Sequence, residues 1–286
     1  MKITTVNFKA VLDPKKNFEA IQEILKKHSE SDLVVFPEAS IQGYMPFLED
    51  ESIKYYLESA IDLSKKDPIV TELQKAAQDN DQTIIVGGME RDDVHGLGHM
   101  FDTAFVFLPD GTVHTYRKTH LATNEPYFLF PGDVLEPIGT SVGKVGFLVC
   151  YDKCFSEAAK TLAVKGADII VVVSAWAYSG VDQSAEEKSA DHSAKVFDVY
   201  DQVRAVENQC LVVVANQVGV NENRSLEFLG HSKVVAPSGR ILGELGDQED
   251  ALTVDINLQE LLIEERVLNL SALNIMRNRR PDIYSD

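Results

Sequence analysis

Apolar positions along this chain follow two rhythms. Short and nearly unbroken apolar runs recur at residues 32–36, 83–89, 100–108, 145–149, 169–173 and 210–215. Runs of that length, bounded by polar or Gly/Pro residues, predict strands, with 32–36 covered on both faces and 145–149, 169–173 and 210–215 buried. Residues 2–8 alternate instead and predict a first strand. Helical spacing lies between the runs: Phe18, Ile21, Ile24 and Leu25 follow Asp13-Pro14, a cap and proline that mark a helix start. Further helices are predicted over residues 51–64, from Asp67-Pro68 to about residue 80, over 158–164 and over 198–208. Turn signals at Pro109-Asp110-Gly111 and Pro237-Ser238-Gly239 predict hairpins joining 100–108 to 112–117 and 230–236 to 240–245. A strand at 251–256 follows, and 259–286 forms a charged tail. Residues 174–193 are polar and irregular, with Trp176 and Tyr178 among them, and predict a loop or lid. Strands alternating with helices in both halves imply an α/β chain with helices on the sheet faces. With no linker, low-complexity segment or repeat, residues 1–286 are expected to form a single domain.

Composition narrows the classes. A 44% hydrophobic content suffices for a sizeable core. No stretch approaches the roughly 18 to 20 apolar residues of a membrane span. The N-terminus lacks a signal pattern, so a cytosolic protein is expected. Acidic residues number 45 against 27 basic, net −18, which weighs against nucleic acid or anionic membranes as partners. Three cysteines, Cys150, Cys154 and Cys210, make no disulfide scaffold. His95, His99, His114 and His120 share no ligand spacing, so no metal is expected.

Three predicted strand ends finish in reactive side chains. Glu38 follows Val34-Val35-Phe36-Pro37, Lys118 follows Thr115-Tyr116-Arg117, and Cys150 follows Phe147-Leu148-Val149. In α/β sheets that edge is where ligands bind. A base, a cation and a thiol there make a nucleophilic set. Cys150 is also expected near a helix N-terminus, which would favour thiolate. Asp152 is expected to bond the turn rather than react, and Cys210 to be inert core.

These residues and their order resemble the nitrilase superfamily, the carbon–nitrogen hydrolases with a Glu-Lys-Cys triad. Phe36-Pro37-Glu38-Ala39 with Gly43-Tyr44 is similar to its first-glutamate segment, and Tyr116-Arg117-Lys118-Thr119-His120-Leu121 to its lysine motif. Cys150-Tyr151-Asp152 with Phe155 and Glu157 is similar to its nucleophile segment. Gly87-Gly88, Asp102-Thr103-Ala104, Phe130-Pro131-Gly132-Asp133, Arg204-Ala205-Val206-Glu207-Asn208 and Arg279-Arg280-Pro281-Asp282 extend the resemblance over the chain.

The resemblance implies a four-layer α-β-β-α sandwich and a hydrolase that cleaves the non-peptide C–N bond of a small amide through a cysteine thioester. It implies Cys150 as nucleophile and Glu38 as proton carrier, a role that calls for a buried carboxyl with a raised pKa. Lys118 and the Tyr151 backbone N–H would hold the oxyanion, and Glu125, the second glutamate, would position the lysine or the substrate nitrogen. Tyr44, Tyr151, Trp176 and Tyr178 are candidate substrate contacts. No cofactor is called for. A homodimer or higher homo-oligomer is implied, with the tail, including Arg279, Arg280 and Tyr284, in subunit contacts.

The chain departs from the family at Ser156, where many members carry proline, and at Cys154, where several relatives that hydrolyse ω-amides or N-carbamoyl amino acids carry arginine or another polar residue for a substrate carboxylate. An uncharged or hydrophobic small amide is therefore the first expectation, N-carbamoyl compounds the second and nitriles the third. An acyltransferase that resolves the thioester with an amine, and a non-catalytic binding protein, are the rival classes.

Overall fold

The apolar runs become strands in the computed structural model, which describes residues 1–45, 50–93, 98–269 and 275–284. In order these are β1 (Lys2–Asn7), α1 (Pro14–Lys27), β2 (Leu33–Val35), α2 (Asp50–Ser59), α3 (Pro68–Asp79), β3 (Thr83–Arg91), β4 (Met100–Phe107) and β5 (Val113–Arg117). The second half follows with β6 (Ile138–Thr140), β7 (Gly143–Val149), α4 (Ser156–Val164), β8 (Ile169–Ser174), α5 (Ala185–Ala190), α6 (His192–Asn208) and β9 (Leu211–Asn216). Next come β10 (Val218–Val220), β11 (Glu227–Leu229), β12 (Lys233–Val235), β13 (Ile241–Glu244), β14 (Asp250–Asp255) and α7 (Leu258–Ile263).

Two six-stranded sheets result, ordered β14-β1-β2-β3-β4-β5 and β13-β12-β9-β8-β7-β6. Strands β1, β2 and β3 pair in parallel, as do β7, β8 and β9. The period of two decides which side each residue serves. Leu33, Val35, Ile85 and Val106 of the first sheet meet Phe147, Val149, Val171 and Val213 of the second in the central core. Val34, Ile84, Val86 and Phe105 face outward onto Ile21 and Leu25 of α1 and Leu73 of α3. Leu148, Val172 and Val214 face outward onto Ala158 and Leu162 of α4 and Phe197 of α6. This is the α-β-β-α sandwich, and burial on both faces is why the strands are continuous apolar runs.

Helix starts match their local chemistry. Asp13 and Asp67 cap α1 and α3, each accepting from two backbone N–H groups ahead of a proline at the first turn. The pattern gives no sign of β6, β10, β11 or α7, and two of the predicted boundaries differ most. The helix predicted over 51–64 ends at Ser59. The stretch predicted as a lid holds α5, opened by a reciprocal Ser184–Glu187 capping box, and the start of α6, capped by Asp191. These helices keep few buried apolar positions, so their period is weak in sequence; the caps were the available signal. Among the described residues no helix is long and apolar enough to cross a membrane.

Candidate active site

Glu38 leaves the carboxyl end of β2 and crosses β3 in close contact. A Cβ on Gly87 would stand 2.3 Å from the Pro37 carbonyl oxygen and 2.5 Å from the Glu38 Cα. The glycine thus lets the loop lie on the strand, where the Gly87 N–H donates to the Pro37 carbonyl (3.1 Å). Gln217 holds the Glu38 carbonyl from the second sheet (2.8 Å). Gly87→Ala is expected to push the Glu38 loop off the strand and lower kcat by about 100-fold, since misplacing a reacting group by an ångström has effects of that size. Steady-state kinetics with a thermal melt would check it; a near-parental kcat would mean that the loop is not held by this contact.

Lys118 follows β5, which runs parallel to β3 because both pair antiparallel with β4. Its backbone is pinned by Asp102 and Gly132 (2.8 Å each). Its ammonium is fully buried among three carboxylates: Glu38 Oε1 at 2.6 Å, Glu125 Oε1 at 2.7 Å and Asp102 Oδ2 at 3.4 Å. Burial opposes the lysine's charge, but the carboxylates outweigh it and hold its pKa well above the ordinary value. Like charges about 4 Å apart in a protein repel by about 4 kcal/mol. One cation therefore cannot comfortably neutralise three ionised neighbours. Burial, followed by the charge of Glu38, pushes the Asp102 carboxyl well above the usual carboxylate range.

The second oxygen of Glu38 accepts the Ala175 N–H at 2.6 Å, just past the end of β8. Glu125 opens a short 3-10 turn (Glu125–Tyr127) and accepts from Tyr44 Oη (2.8 Å) and the Ala122 N–H (2.7 Å). Burial first, then the charge of Glu125, raises the Tyr44 pKa well above its usual value, so the phenol stays a neutral donor. Oxygens of Glu38, Asp102 and Glu125 lie close enough together to ligate a cation, but the Lys118 ammonium already bonds all three. In the same way Lys233 bonds two members of the Asp198–His231–Glu244 group.

Cys150 ends β7 with φ +47°, a left-handed conformation rare outside glycine, and opens a 3-10 turn (Cys150–Cys154). The elbow is held by Asp152, which is fully buried. Asp152 accepts from the Val149 N–H (2.9 Å), the His120 N–H (2.8 Å), Tyr116 Oη (2.9 Å) and Thr119 Oγ1 (2.8 Å). It thus ties the cysteine turn of one sheet to the lysine turn of the other. The surroundings of Cys150 oppose the expected thiolate. The helix α4 starts only at Ser156, and burial, followed by the charge of Glu38, pushes the Cys150 thiol up, an effect only partly offset by Lys118. The resting group is a half-buried thiol that needs a base.

Of the candidate contacts, Tyr44 joins the cluster through Glu125. The side chains of Trp176 and Tyr178 belong instead to the outer apolar cluster around Leu148 and Phe197. The Trp176 indole N–H is spent on Ser193 Oγ (2.8 Å), and Lys188 lies over the Tyr178 ring. The chain leaving β8 at Ser174 carries these rings into the helix-side cluster, which a polar loop pattern could not reveal. The Tyr151 ring is exposed and edge-on to Phe155. His95 lies outside the described residues. In sequence Asp102 is only one position of a strand; its approach to Lys118 depends on the β4 register.

A model of the family described as carbon–nitrogen hydrolase matches residues 2–261. A curated relative from Pyrococcus abyssi, named nitrilase, is 30% identical over 96% of this chain and 95% of its own. The crystal structure of a carbon–nitrogen hydrolase from Helicobacter pylori superposes with a TM-score of 0.83 at 28% identity, covering 99% of this chain and 97% of that one. A mutant amidase from Nesterenkonia sp. AN1, carrying the acetamide moiety of fluoroacetamide covalently at its active-site cysteine, superposes at 0.74 with 26% identity over 96% of each chain.

Proposed function

The chain belongs to the carbon–nitrogen hydrolase family, and from that premise we propose that it is an amidase acting on small uncharged amides through a thioester on Cys150. The observation that carries this reading is the Lys118 ammonium clamped between Glu38 and Glu125. It stands at the same edge as a neutral thiol on a strained elbow.

Glu38 takes the Cys150 proton as sulfur adds to the amide carbon. The oxyanion so formed is held by Lys118 and by the Tyr151 backbone N–H, preorganised donors that stabilise developing charge at no reorganisation cost. Glu38 then passes its proton to the departing nitrogen, and ammonia leaves. Water adds to the thioester, giving its proton to Glu38, and collapse of the second tetrahedral intermediate releases the acid and returns the proton to sulfur. Glu125, bonded to Lys118 and Tyr44, orients the ammonium.

The surroundings of Cys150 favour an uncharged substrate. Lys153 Nζ is turned to Asp201 (2.7 Å) and lies over the Phe197 ring (3.1 Å). The Arg204 guanidinium is spent on the Lys153 and Cys154 carbonyls and Glu207. Neither cation is offered to a substrate carboxylate. Similarity to the amidase bearing an acetamide moiety supports the same class.

The test is ammonia release across short amides, ω-amides, N-carbamoyl compounds and nitriles, with intact-mass trapping on the best substrate. The expected result is highest turnover on a short neutral amide and one acyl adduct that maps to Cys150. Preference for an amide bearing a carboxylate would overturn the substrate class, and an adduct on Cys154 or Cys210 would overturn the nucleophile.

A further inference from the structure

Three carboxyl groups and one ammonium share the buried cluster beside Cys150, and only two of the carboxyls lie within 2.7 Å of that ammonium. The third, Asp102, is 1% exposed and stands off at 3.4 Å. Its other oxygen, Oδ1, is buried and has no hydrogen-bond partner among the described residues. An ionised carboxylate in such a position would have an oxygen with no donor, which is costly; a carboxylic acid needs fewer donors and supplies one itself. Glu38, with a carboxyl oxygen within 4.8 Å of one of Asp102's, already takes Lys118 on one oxygen and the Ala175 N–H on the other, each at 2.6 Å. A carboxylate accepts more than one bond per oxygen.

We propose that Asp102 is a positioning residue that stays protonated at neutral pH and donates its proton in a hydrogen bond to Glu38, steering the carboxylate that serves Cys150. Among the described residues, the charged or titratable groups acting most strongly on Asp102 are Glu38, Lys118 and Glu125, and Asp102 in turn acts on Tyr56. Of these, only Lys118 brings positive charge, and it is shared by two closer carboxylates. Protonated Asp102 leaves the cluster with one net negative charge rather than two. It also keeps Glu38, rather than Asp102, as the group that exchanges protons with sulfur. The inference rests on the amidase reading for its role in catalysis, but the protonation itself is read without activity.

The experiment is infrared spectroscopy of the full-length protein at neutral pH, following the C=O stretch of protonated carboxyl groups, which is separate from the carboxylate bands. Expected is a band in the parent that is lost in Asp102→Asn and shifts when aspartate carboxyls carry carbon-13. Burial also raises the Asp201 carboxyl, so Asp201→Asn is the control and should keep the Asp102 band. Should Asp102→Asn fail to fold, the labelled parent and the Asp201 variant alone decide the assignment. A band unmoved by aspartate labelling, unchanged in Asp102→Asn, or absent in the parent overturns the proposal. In kinetics, Asp102→Asn keeps a donor and is expected to lose about tenfold in kcat, the scale of one altered hydrogen bond, whereas Asp102→Leu should lose roughly 100-fold with KM little changed. Equal losses in the two variants would overturn the donor role. A Cys150→Ala variant that still turned over substrate would sink the amidase reading and leave the infrared assignment standing.

Discussion

Cys150→Ala is expected to release no ammonia above background on the best amide, while its melting transition stays close to that of the parent. Loss of a covalent nucleophile costs about a millionfold in comparable hydrolases, and the binding groups that remain cannot form the thioester. Alanine removes only the sulfur at a position whose backbone is held by the Asp152 network, so the elbow should persist. No second thiol can substitute. Cys210 is buried, with its sulfur directed at the Ala167 and Asn208 carbonyls (3.1 and 3.3 Å). Cys154 is held as a thiol by its own burial and sits at the far end of the 3-10 turn. Ammonia release equal to the parent's would remove Cys150 from the reaction.

Lys118→Ala should fail in two separable ways. Activity is expected to fall by at least about 100- to 1,000-fold, because one oxyanion donor contributes about 3 to 4 kcal/mol. Stability should fall as well, by about 3 to 5 kcal/mol at neutral pH, since removing one partner leaves buried charge uncompensated. The two losses part company with pH. The lysine's pKa is raised in the fold, so its contribution is fully present below the unfolded value near 10.5 and is lost only as pH rises through the higher folded value. Without it, the ionised Glu38 and Glu125 repel one another until protonated, so the stability deficit should shrink as pH falls. Activity should not recover, because protonation cannot restore the missing donor. Denaturant titrations at several pH values, paired with turnover, would check both. Near-parental turnover, or a deficit that grows on acidification, would contradict the arrangement.

The Asp152 network shows how far local sequence reading reached. An acid two residues after a strand-end cysteine suggested a turn partner, and it is one. That it also accepts from Tyr116, Thr119 and His120, more than thirty residues earlier, follows only from the two sheets facing each other. The thiolate expectation failed for a related reason. It assumed a helix N-terminus and a cation as the dominant neighbours, whereas the folded environment adds burial and the charge of Glu38. Lys153, next to the nucleophile turn in sequence, points instead into the helix layer against Phe197 and Asp201.

From the chain alone came the longer strands, the burial of several of them, and the three candidate residues at strand ends. Each is written in contiguous residues: an apolar run, a turn signal, a charged residue directly after. The folded arrangement decided what no window of sequence contains. Strand β4 runs antiparallel to β3, which brings Asp102 to the edge where Lys118 also ends. The chain leaving β8 carries Trp176 and Tyr178 into the outer apolar cluster, and three carboxyls crowd one ammonium. Protonation state and side-chain direction are set by neighbours in space, and those neighbours come from distant parts of the chain.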